Sequence, residues 1–366
     1  MAQIGRCSSM TTVAEFAVPW TRILDPAGEV AGPLPGFAHE PGQLVALYRA
    51  MVLTRTFDAK AIALQRTGRL GTYASSLGQE AVAVGVAAAM QANDVLVPSF
   101  REHGAQLWRG VTLTELFLYW GGDERGNDFA GPREDFPNCL PVGSHAPHAV
   151  GVALAFKLRG EKRAAVCVFG DGATSKGDVA EALNMAGVWK LPAVFIINNN
   201  GWAISVPVAK QTAAATLAQR AIAAGLPGEQ VDGNDVIAVR SVVERALARA
   251  RDGQGPALIE AVTFRLSDHT TADDASRYRD DAEVSRHWPA EPLARLRNYL
   301  MRSNHWDKDK EETLLQECDH AVEEAADAYL ATPPQALAAM FQHTYANLPV
   351  DLVEQRDAAF RISGAR

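Results

Sequence analysis

Residues 166–177 read VCVFGDGATSKG: a short apolar run, two glycines flanking Asp171, and then a small polar stretch. This order predicts a buried strand that delivers a tight turn to the start of a helix, an arrangement suited to holding phosphate on main-chain N–H groups. Two familiar phosphate turns fit only in part. A dinucleotide fingerprint needs a third glycine where Ser175 stands. A nucleotide P-loop needs glycine followed directly by Lys and Ser or Thr, whereas here Lys176 precedes Gly177. Neither pattern gives Asp171 a task. A carboxylate beside a diphosphate is repulsive unless a divalent cation separates them. Magnesium favours an octahedral oxygen shell with one or two protein oxygens, so a second oxygen ligand is required at another strand end.

The chain supplies one. GDVAEALNMAGVWK (177–190) reads as a helix and AVFIINN (193–199) as the next strand, followed by Asn200, Gly201 and Trp202. In a right-handed strand–helix–strand crossover, both strands end at the same edge of the sheet. Asp171 and the asparagine run then face one another, and an amide oxygen is a neutral hard ligand. A turn aspartate and an asparagine loop are each ordinary features of strand ends. Both at this spacing, joined by that pattern, favour a cation site.

Working outward, the same alternation continues. Leu44, Leu47, Tyr48, Met51, Val52 and Leu64 recur at helical spacing between Gly42 and Gly68, and an Ala-rich helix is expected over 79–90. VLVPSF (95–100) reads as a strand, AVGVALAFKL (149–158) as a helix, DVIAVRSVVERALARAR (235–251) as a helix and ALIEAVTFRL (257–266) as a strand. Strands apolar on both faces and alternating with helices predict an α/β fold with a mainly parallel sheet covered by helices. Residues 1–41, with Pro19, Pro26, Pro33, Pro35 and Pro41, are expected to form an extended arm, residues 42–285 the α/β domain, and residues 286–366 a helical segment.

Composition excludes several classes. With 48% hydrophobic and 21% charged residues, the 366-residue chain is an ordinary globular one. A net charge of −8 without a basic block argues against nucleic-acid binding. No apolar run reaches the length of a membrane span, and no signal-peptide core is evident. Four cysteines without a C-x-x-C pair suit a reducing cytoplasm.

GDG, then 26 residues, then NN resembles the thiamin diphosphate motif of thiamin-dependent enzymes. The resemblance runs from about Gly42 to Arg279. RTFDAKAIALQRTGRLGTYASSLGQEA, SFREHGAQLWRG, VDGND and FRLSDHTTADDASRYR are similar to the alpha subunit of two-chain 2-oxo acid dehydrogenases. KQTAAATLAQRAIAAGLPGEQVDG is most similar to bacterial pyruvate dehydrogenase alpha subunits, while NNGWAISVP also resembles branched-chain members.

The resemblance implies thiamin diphosphate and Mg2+ as cofactors. Asp171, Asn200 and the carbonyl of Trp202 would bind the metal. Gly170, Gly172 and Ala173 would lie against the cofactor, and Phe100 and Arg101 would contact it, the arginine gripping the diphosphate. Phe100 stands where the family has tyrosine. Arg101 has the plainer alternative of a surface ion pair with Glu102. His103 is open between a supporting role and simple packing. The backbone at Val142, and at Leu140 where glycine is usual, would face the aminopyrimidine ring, and His145 replaces a usual glutamine. His269, in a DHTTADD segment expected to be an exposed loop, would be the catalytic acid/base, imidazole titrating near neutral pH. The implied partners are a beta subunit in an alpha2beta2 heterotetramer, which would supply the carboxylate for the aminopyrimidine nitrogen, and a lipoyl-bearing dihydrolipoyl acyltransferase. The implied substrate is a small 2-oxo acid, pyruvate first, with branched-chain 2-oxo acids or acetoin as alternatives. A non-catalytic scaffold subunit of the same fold is the remaining possibility.

Overall fold

The computed structural model describes residues 11–342 and 344–364. Its strands are β1 (Trp20–Thr21), β2 (Val95–Val97), β3 (Ala165–Gly170), β4 (Ala193–Asn199), β5 (Trp202–Ala203), β6 (Val206–Pro207), β7 (Gly228–Asp232) and β8 (Ala257–Val262). Six of them form one sheet in the order β1-β7-β8-β4-β3-β2, parallel throughout, and β5 and β6 form a separate antiparallel hairpin. The mainly parallel sheet expected from the sequence is therefore present.

The period-two pleat sorts the central strands onto two cores. Val166, Val168, Val194, Ile196 and Ile259 point to one face, against residues from the helices Pro41–Arg66, Glu80–Ala89 and Val236–Arg251. Ala165, Cys167, Phe169, Phe195, Ile197 and Leu258 point to the other, against the helices His145–Arg159 and Gly177–Val188. Burial on both faces is why these strands read as unbroken apolar runs rather than alternating ones. The strands are shorter than the runs: VLVPSF pairs only at Val95–Val97, and ALIEAVTFRL stops at Val262. The residues beyond each end leave the sheet to build loops at its carboxyl rim.

The N-terminal arm is largely without regular structure and is anchored to the sheet. Its first ten residues lie outside the described ones, but Trp20–Thr21 add an edge strand and Gly36–His39 form a short 3-10 helix. The cause is Asp235. Its Oδ1 caps the helix Val236–Arg251 through Ile237 N and Ala238 N, both at 3.1 Å, while Oδ2 accepts from Ile23 N (2.7 Å) and Leu24 N (2.6 Å). Arg22 and Arg295 both pair with Asp232 at 2.7 Å, closing the same junction. The C-terminal helices pack inward as well: Leu293, Leu296, Leu300, Trp306 and Leu314 join the first core. Among the described residues, no helix is long and apolar enough to cross a membrane.

Candidate active site

Register places the two halves of the site together. Gly170, the last residue of β3, pairs with Asn198 of β4, so Asp171 and Asn200 leave the sheet at the same rim, one and two residues later. Asp171–Ser175 form a 3-10 turn, closed by Thr174 Oγ1 donating to Asp171 O at 2.7 Å, before the helix starts at Gly177. The strand thus reaches its helix through an extra turn rather than directly. A β-carbon on Gly172 would lie 2.7 Å from the Ala203 β-carbon, so a glycine here lets the β5–β6 hairpin close over the turn.

Across the rim, Gly201 at φ +87° reverses the chain, a conformation glycine adopts without steric cost. The reversal lets Gly201 N donate to Asn199 Oδ1 (3.1 Å) and Trp202 N to Asn200 Oδ1 (3.2 Å). Asn200 Nδ2 donates to Gln79 Oε1 at 2.9 Å, which aims the amide. Asn199 Nδ2 is held by the buried Glu260 at 2.7 Å.

Gln79, Asp171, Asn200 and Trp202 face one cavity of about 520 Å3. Phe100, Arg101, Leu140, Val142, Gly170, Asp171, Gly172, Ala173, Asn200, Trp202 and His269 all line it. Leu140 and Val142 stand at its mouth, 58% and 45% exposed. Asp171 is buried, and burial raises its carboxyl above the usual range; a hydrogen bond from Gln211 and the charges of Arg265 and Arg101 oppose that rise.

Arg101 is buried too, which excludes the surface ion pair. Its Nη1 donates to Ser75 O (2.6 Å) and its Nη2 to His269 O (2.6 Å), with Nη2 also 2.8 Å from His269 Nδ1. Glu102 Oε2 accepts from the Arg101 main-chain N at 3.2 Å rather than from the guanidinium. Burial, then the nearby Arg265, lowers the Arg101 guanidinium to about 10. Arg265 is fully buried and donates to Ile204 O (2.8 Å) and Tyr278 Oη (2.9 Å), with Trp202 O at 3.4 Å. Neither guanidinium has an ion pair with a carboxylate among the described residues. Two buried cations beside a cavity without a paired anion make a site for an anionic ligand.

The DHTTADD segment is a loop whose Asp268, Ala272 and Asp274 are exposed and whose His269, Thr270, Thr271 and Asp273 are partly buried. His269 is half-buried: its N–H donates to Asp273 Oδ2 at 2.9 Å, and Tyr278 Oη donates to the same oxygen. His269 and Asp273 turn inward into a hydrogen-bond network with Arg101 and Tyr278, while Asp268 and Asp274 stay exposed. Phe100 packs edge-on to the imidazole, with centroids 6.2 Å apart. Burial, then Arg101 and Arg265, lower His269 from 6.5 to about 4. In this state the ring is neutral, with Nδ1 accepting from Arg101 and the proton on Nε2. This departs from titration near neutrality, and the neighbouring guanidinium charges add to the effect of burial.

Two other histidines are structural. His103 is fully buried, stacks on Tyr73 at 5.3 Å and accepts from Trp120 Nε1 at 3.1 Å. Buried His145 donates Nε2–H to Val168 O at 2.9 Å and lies outside the cavity lining. Sequence reasoning missed Gln79, Ser75 and Gln211, which hold Asn200, Arg101 and Asp171. Two neutral amides and the main-chain carbonyl of Ser75 give no chemical signal in the sequence, and only the folded contact reveals them.

The acceptors present fit a hard divalent ion: one carboxylate, one amide oxygen and one main-chain carbonyl. No group of three or more His, Cys, Asp or Glu is placed to hold a metal among the described residues, but a one-carboxylate site requires none.

Residues 48–337 match the family described as "Dehydrogenase E1 component". The chain is 43% identical over 311 residues to the 3-methyl-2-oxobutanoate dehydrogenase subunit alpha of Mycobacterium tuberculosis, covering 85% of each chain. It is 40% identical over 337 residues to the pyruvate dehydrogenase E1 component subunit alpha of Staphylococcus aureus, covering 91% of this chain and 90% of that one. With a match across most of its length and a parallel sheet whose rim gathers these groups, the chain belongs to the dehydrogenase E1 component family.

Proposed function

We propose that the chain is the alpha subunit of a thiamin diphosphate- and Mg2+-dependent pyruvate dehydrogenase (acetyl-transferring). It catalyses oxidative decarboxylation of pyruvate with reductive acetylation of a lipoyl group, in an alpha2beta2 assembly. The observation that carries this reading is the lining of one cavity by Asp171, Asn200 and the ion-unpaired Arg101. When bound, thiamin diphosphate supplies the electron sink that loss of carbon dioxide from a 2-oxo acid demands.

The rest falls to the chain's own residues. Asp171, Asn200 and the Trp202 carbonyl hold the cation, and Arg101 gives a charge-assisted contact to the diphosphate. His269 presents its Nε2 proton to the reacting end of the site. Besides Asp171, the cavity carboxylate is Glu102, which is buried, raised to about 7 by that burial, and turned to a main-chain N–H. Neither is free to serve the aminopyrimidine nitrogen, which supports a carboxylate supplied by a beta subunit. Acyl transfer to a lipoyl-bearing dihydrolipoyl acyltransferase completes the reaction.

The relative at 43% identity favours a second substrate, 3-methyl-2-oxobutanoate. The deciding experiment is a side-by-side assay of pyruvate, 3-methyl-2-oxobutanoate and acetoin with the assembled alpha and beta chains. Preference for pyruvate supports the reading, preference for either competitor replaces the substrate, and no turnover or cofactor binding at all returns the chain to a scaffold role.

A further inference from the structure

The stretch that provides Asn200 and Trp202 does not end there. After the β5–β6 hairpin, the short helix Val208–Gln211 is tied back to the turn by Val208 N donating to Gly201 O at 3.1 Å. Its last residue, Gln211, reaches across the rim to the other half of the site. Gln211 Nε2 donates one hydrogen to Asp171 Oδ2 at 2.7 Å and is 3.0 Å from Val206 O. Both hydrogens of the amide are thereby used, one to hold the carboxylate and one to brace the amide on the hairpin. Asp171 Oδ1 accepts no hydrogen bond from any other described residue.

We propose that Gln211 is a positioning residue for the cation: it fixes Asp171 Oδ2 and leaves Oδ1 as the metal-facing oxygen. This rests on the cation site proposed above. A neutral amide suits the task, since it orients the carboxylate without displacing a cation by charge, as a lysine would. The arrangement also couples the two ligand-bearing strand ends. The segment that carries the amide and carbonyl ligands returns to set the angle of the carboxylate, so one loop fixes the whole donor set. Partners of this kind, one bond removed from the metal, typically change metal affinity by about 10–100-fold when lost.

The test is calorimetric titration of Mg2+ into the full alpha–beta assembly saturated with thiamin diphosphate, comparing wild type, Gln211→Met and Asp171→Asn. Methionine keeps the length of the side chain and removes the donor. Binding of inorganic pyrophosphate without metal serves as a second readout, because it reports Arg101 rather than the carboxylate. The expected result is Mg2+ affinity weakened about tenfold or more in Gln211→Met, with pyrophosphate binding unchanged. Unchanged or tighter Mg2+ binding in Gln211→Met, beside a normal wild type and a defective Asp171→Asn, overturns the role of Gln211 alone. Loss of pyrophosphate binding in parallel also overturns it, since the substitution then acts on the pocket as a whole. If Asp171→Asn binds Mg2+ like wild type, the cation site itself fails, and this inference with it.

Discussion

At the scale of single residues, the site is a balance of buried charge. Asp171 brings one carboxylate into a wall that also holds Arg101, with Arg265 nearby, and neither guanidinium is neutralised by an ion pair among the described residues. Replacing Asp171 by Asn is expected to weaken Mg2+ binding beyond the roughly 100-fold ceiling of an outer-partner loss, measured by the Mg2+ dependence of cofactor binding. His269 supplies a second prediction. Its folded value of about 4 lies below the 6.5 of a free imidazole, so the unfolded chain takes up this proton first. The stabilisation it brings is complete above about pH 6.5 and is lost as pH falls towards 4. His269→Gln should flatten that part of a plot of unfolding free energy against pH. An anion on Arg101 removes part of the repulsion, so diphosphate should raise the His269 value, as followed by NMR of the ring protons. A fall on diphosphate addition would contradict the charge account.

At the scale of elements, the rim is built by the strands that end there. The β3–β4 register and the Gly201 reversal carry Asp171 and Asn200 to one place. Gly201→Ala forces a β-carbon into the left-handed region, at a cost of about 1–2 kcal/mol. It should lower both thermal stability and cofactor affinity, measured on the same preparation. Phe195, a fully buried residue of β4, is a control: its replacement by Ala should cost about 3–5 kcal/mol in denaturant unfolding. The strands and helices near the site were legible because burial on both faces writes itself as apolar runs, and Asp171 and Asn200 because their residue types carry chemistry. The edge strand Trp20–Thr21 was not, since it depends on Asp235, more than two hundred residues away, capturing Ile23 N and Leu24 N. The inward turn of the His269 loop was hidden for a related reason. A run of polar residues looks the same whether its partners are water or Arg101, Arg265 and Tyr278.

At the scale of the whole molecule, the proposed function makes the chain the diphosphate half of a shared site. Leu140, Val142 and Ile204 line the cavity and remain substantially exposed, so its mouth is apolar and open. Such a surface is consistent with closure by a second chain that brings the missing carboxylate. The purified chain alone should therefore show negligible pyruvate decarboxylation, with activity appearing on titration of the beta subunit; robust turnover by the isolated chain would contradict a divided site. The central claim, that Asp171 and Asn200 share one cation at the sheet rim, has its most direct test in crystallography. Crystals of the assembly grown with thiamin diphosphate and Mn2+ in place of Mg2+ should show an anomalous peak bounded by Asp171 Oδ1, Asn200 Oδ1 and the Trp202 carbonyl, at about 2.1 Å from each. A peak elsewhere, or a bound diphosphate with no metal between it and Asp171, would contradict the account.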